Sequence, residues 1–90
     1  MGLSFQEVER IKKQFERVYF FAAPYSEYVN MCGISKVSIK DKDKIAPIDE
    51  QGDFCISVGL CKPLPQGLSL PMKYCGVRVF PQVIGKIKVL

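Results

Sequence analysis

A chain of 90 residues makes one domain with a modest core, because a chain of this size buries only about 60% of its unfolded surface. Hydrophobic residues make up 48% of it and, counted with glycine in place of tyrosine, slightly exceed the usual ~45–50%. The net charge of +4, from 13 basic and 9 acidic residues, is less lopsided than nucleic-acid modules usually are, and no apolar run approaches the roughly 18 residues of a membrane span.

The N-terminal segment Met1-Gly2-Leu3-Ser4-Phe5-Gln6-Glu7 has neither a basic region nor an apolar region of a signal peptide. A cytoplasmic location with reduced thiols is therefore expected. Gly2 does not open a myristoylation motif, since Gln6 stands where Ser or Thr is needed. Ser4 to Glu7 spells a capping box, with Leu3 and Val8 spaced as a hydrophobic staple. Val8, Ile11, Phe15, Val18, Tyr19 and Ala22 then recur at helical spacing, and Gln6, Arg10, Lys13 and Arg17 fall opposite. Glu9 precedes Lys13 by four residues, the favourable order for an ion pair. Pro24 disfavours helical geometry at Ala23, so the helix is expected to end near Phe21 or Ala22.

Phe20 and Phe21 lie off the apolar helix face, and Tyr25 and Tyr28 follow within one loop. These four either form a satellite core under a folded-back chain or an aromatic patch for a partner.

The remainder reads as strands. From Asn30 to Lys40 the apolar parity changes near Ser35-Lys36, which predicts a β-bulge there. Asp41 to Lys44 is a polar turn, and Ile45 to Ile48, carrying Pro47, is at best a short edge piece. Phe54 to Cys61 is the strongest strand. Its large residues Phe54, Ile56, Val58 and Leu60 alternate with the small Cys55, Ser57, Gly59 and Cys61. That pattern predicts a central strand with its large face on the helix and a small face open to close approach. The proline-rich stretch from Pro63 to Met72 brings Leu64, Leu68, Leu70 and Met72 over a core edge. Val77 to Phe80 is a short strand, interrupted at Pro81 and resumed from Val83 to Val89. The fold class is α+β: one N-terminal helix on a three- to four-stranded, mainly antiparallel sheet, all in a single domain from residue 1 to 90.

The chain contains no histidine, which removes the commonest general base and the usual nucleophile–base pairs. Cys32, Cys55, Cys61 and Cys75 form no C-x-x-C pair, and Cys55 and Cys61, six positions apart on one strand face, lie roughly 20 Å apart. They read as small buried hydrophobes. No phosphate-binding glycine motif occurs. The protein is accordingly read as non-enzymatic, with no cofactor and no metal.

Asn30, Gly33-Ile34-Ser35, Val58-Gly59-Leu60, Pro63-Leu64-Pro65, Leu70-Pro71, Gly76-Val77, Val79 and Val83-Ile84-Gly85 recur in order. In that series the region from 30 to 87 resembles the β-rich accessory segment that precedes the peptidase domain in some trypsin-like serine peptidases. The resemblance implies a non-catalytic sheet module, and without histidine it does not imply proteolysis.

Three functions compete. The first is a self-associating or protein-interaction module acting through Phe20, Phe21, Tyr25, Tyr28, Leu64, Leu68, Leu70 and Met72, with a second copy or another protein as partner. The second is a nucleic-acid-associated protein using the stripe Arg10, Lys13 and Arg17. The third is a small-ligand binder with the strand 54–61 as floor and the loop 63–72 as cover.

Overall fold

The computed structural model describes residues 3–84. Ser4 caps helix α1 (Phe5–Tyr19) as its sequence predicts. Its hydroxyl accepts from the Glu7 amide at 3.2 Å, and the Glu7 carboxylate accepts from the Ser4 amide at 3.2 Å. Hydrogen bonds donated by the Ser4 amide and hydroxyl hold the Glu7 carboxyl below its ordinary pKa. The helix stops earlier than the proline alone requires. The amides of Phe20 and Phe21 both reach the Glu16 carbonyl, which closes the last turn, and a 3₁₀ turn at Tyr25–Glu27 follows. The i,i+4 ion pair that forms on α1 is Lys12–Glu16, at 2.6 Å, in place of Glu9–Lys13.

Among the described residues five strands follow: β1 (Val29–Val37), β2 (Ile45–Ala46), β3 (Phe54–Leu60), β4 (Lys73–Tyr74) and β5 (Val77–Val83). They form one sheet in the order β2-β1-β3-β5-β4. The sheet is mixed: β3 and β5 run parallel, and the other neighbours are antiparallel. The α+β architecture and the single helix on a sheet thus hold. The expectation of three or four strands misses β4 and the parallel pair.

The helix lies on the face that β3 fills with its large residues. Val8 and Phe15 of α1 cluster with Val29, Ile56, Val58, Leu60, Val77 and Val79. Ile11, Tyr19, Cys32, Ile34 and Tyr74 pack around them. Val18, placed on the apolar stripe by its spacing, is instead exposed at the stripe's margin.

Two strand expectations need correction. Pairing between β1 and β3 runs without interruption from Met31↔Gly59 to Lys36↔Phe54, and the irregularity lies between Val29 and Met31. No bulge is needed at Ser35-Lys36, because Lys36 occupies the helix side of the sheet as a cation, 4.5 Å from the centre of the Phe54 ring and bonded to the Glu50 carbonyl. The apolar Val37 therefore falls on the opposite face in ordinary alternation.

Pro81 does not interrupt β5. The amide of Val79 points to the outer edge, where it donates to the Met72 carbonyl, and the amide of Ile84 points inward to the Leu60 carbonyl. By alternation the nitrogen of Pro81 faces the outer edge, so its missing donor costs the β3–β5 ladder nothing. The resumed strand from 85 to 89 lies outside the described residues.

Candidate functional site

The eight candidate interface residues divide between core and surface. Phe20, Tyr28, Leu64 and Leu70 pack against the core cluster. The Tyr25 ring meets Tyr19 edge-on at 4.9 Å, and its hydroxyl donates to the Ser69 carbonyl at 2.9 Å, which ties the proline-rich loop down. Leu68 is half-buried. Phe21, 69% exposed with its ring 4.9 Å from that of Phe20, and Met72, at 79%, are the two surface members. Most of this set is thus the satellite core, and two of its members are surface.

Leu64 and Leu70 reach the same cluster as Leu60, so the loop lies over the helix side of the sheet. The small face of β3 looks the other way. The strand 54–61 and the loop 63–72 therefore do not close a pocket over the small residues.

That second sheet face has a distinct construction. Met31, Gly33 and Ser35 of β1 stand opposite Gly59, Ser57 and Cys55 of β3, and Phe80 of β5 stands beside Ser57. The centre is small, with Ser35 and Ser57 hydroxyls 3.4 Å apart. The rim is large and apolar: Met31 is 44% exposed and Ile84 43%. These two converge on Gly59, where a Cβ would lie 2.6 Å from Ile84 Cδ1 and 3.0 Å from Met31 Cβ. The close approach that the small face allows is made at this point by the chain's own side chains. At the other end, Arg78 stacks on Phe80, 4.5 Å from the ring centre, and its guanidinium donates to the Lys42 carbonyl. The loop after β1 is thereby drawn to β5, and Cys55, flanked by Ser35 and Arg78, is fully buried. Met31 cannot be grouped with Phe80 and Ile84 from the sequence, because β1 and β5 are separate segments and only the strand register brings them together.

All four cysteines are free thiols, graded from the buried Cys55 through Cys32 and Cys61 to the exposed Cys75. Burial pushes the thiols of Cys32 and Cys55 up, each to about 11. A maleimide or disulfide reagent at neutral pH should therefore label Cys75 first and leave Cys32 and Cys55 until the chain unfolds. Both raised values make the neutral thiol the native form. Their contribution to stability is present below about pH 9 and is lost as pH rises through about 11. Equal labelling rates at all four positions would contradict this order. No group of three or more His, Cys, Asp or Glu side chains suited to a metal ion occurs among the described residues.

Arg10, Lys13 and Arg17 are exposed, as the helical spacing predicts. Lys13 and Arg17 share a shallow surface dent with Glu16 and Phe21. Among the described residues no helix is long and apolar enough to cross a membrane.

This chain matches no protein-family description, no curated protein and no solved structure.

Proposed function

We propose that this protein is a non-enzymatic interaction module that pairs with a second copy of itself through the second face of its sheet. The observation that carries the reading is the strip of Met31, Phe80 and Ile84 beside the small centre of Gly33, Ser35 and Ser57. Small residues in the middle of a sheet face let another sheet sit close, and the apolar rim gains by leaving water. The chain's high apolar content fits this reading, because among the described residues no helix or strand forms a second layer on that face. The lack of histidine fits a binding role better than a catalytic one.

Size-exclusion chromatography with light scattering at two concentrations tests it. Wild type should run at twice the 10.2 kDa chain mass. Met31→Glu, a half-exposed position whose change should leave the fold intact, should run as a monomer. A wild-type monomer at both concentrations would sink the proposal. A dimer that survives Met31→Glu but falls apart with Phe21→Ser or Met72→Ser would move the contact to those two exposed side chains.

A further inference from the structure

At the end of the sheet where β1 finishes and β3 and β5 begin, a cleft of about 510 Å³ opens between the start of the helix, the loop after β1 and the β4–β5 turn. Its size falls within the ~300–1,000 Å³ of small-molecule sites. We propose that this cleft binds a small oxyanion carried on an apolar body.

Two features of the lining point there. Leu3 and Val8 from the helix end and Phe54 from β3 give it an apolar wall. Against that wall stand Lys42, Lys73 and Arg78, with Asp53 as the single carboxylate among the described lining residues. A concave site with that imbalance concentrates field lines that attract an anion. The arginine is also held in place. Its guanidinium lies on the Phe80 ring and donates through one nitrogen to the Lys42 carbonyl. A guanidinium has five N–H donors, so this anchoring leaves a fixed fork for a carboxylate or phosphate. Pre-organisation of that kind lowers the entropy cost of capture. The three basic residues come from the loop after β1, from β4 and from β5, so the site exists only in the folded chain.

The probes are phenylacetate, phenyl phosphate and phenethylammonium, which share a body and differ in the charged head. Each is titrated into the full chain and followed through backbone amide shifts by heteronuclear NMR. One or both anions should move the amides of Gly52, Asp53, Gly76 and Arg78, and the amine should not. The stronger of the two anions identifies the head group as carboxylate or phosphate ester. In Lys42→Gln/Lys73→Gln, two exposed positions whose change should not disturb folding, anion affinity should fall at least ~10-fold, the size expected from losing one charge-assisted contact. Either of two results would overturn the proposal: no anion-induced shift at millimolar concentration, or equal shifts from the amine. Unchanged affinity in the double variant would do the same.

Discussion

Replacing Phe15 with alanine should destabilise the protein by about 3–5 kcal/mol, the range for emptying an aromatic from a packed core. Phe15 is fully buried, and it ties the helix to the β4 edge of the sheet. Its ring lies 4.8 Å from that of Tyr19 on the helix and 5.5 Å, edge-on, from that of Tyr74 on β4. A domain of this length has a total stability of about 5–13 kcal/mol, so one substitution removes a large share. Urea unfolding followed by circular dichroism should show a lower midpoint with an unchanged slope. Phe15→Leu should recover most of the loss, because volume rather than aromaticity fills the site. A loss below about 1 kcal/mol for the alanine variant would mean that the helix is not docked by this residue.

Gly52→Ala should cost about 2–4 kcal/mol, combining backbone strain with a steric clash. Gly52 has φ of 138°, a conformation that side chains rarely adopt, and a Cβ there would run into the Val37 carbonyl oxygen. The neighbouring rung of the β1–β3 ladder, from the Val37 amide to the Asp53 carbonyl at 2.8 Å, cannot yield without loosening the strand pair. The same unfolding experiment reads the effect, and a change within about 0.5 kcal/mol of zero would show that the loop relaxes freely.

How much of this was legible in the sequence depended on whether the signal was local. The capping box at Ser4 and Glu7 involves residues three apart, and the alternation of Phe54 to Leu60 repeats every second residue; both local signals agree with the structure. The helix ends before the point its sequence predicts, because Pro24 marks only where a helix cannot continue, while the Glu16 carbonyl already closes it. β4 was missed because it has two residues and is defined by its turn. Cys75 and Gly76 both have positive φ, 51° and 84°, as a tight hairpin turn requires, and cysteine is a poor advertisement for that conformation. The parallel pairing of β3 with β5 is non-local, and nothing in either strand's own pattern announces it.

The interface candidates followed the same division. The exposure of Phe21 follows from its position off the helix stripe, but its neighbour Phe20 was also off the stripe and packs inward after the helix ends. The open face and the cleft both gather residues from separate strands and loops, so they became visible only with the sheet register.

Pro81 has a consequence for how copies of this chain can meet. Growth by edge-to-edge addition would need the outer edge of β5 in one copy to accept the edge of β1 in the next, and so on without limit. On β5 the Val79 amide is already engaged by Met72, and the following outward position is the proline, which has no donor. The uncovered part of that edge therefore has one donor fewer, which weakens head-to-tail addition along β5. A single face-on-face contact, by contrast, relates two copies by a two-fold rotation and closes at a pair. A pair closed in that way would remain a particle of finite size.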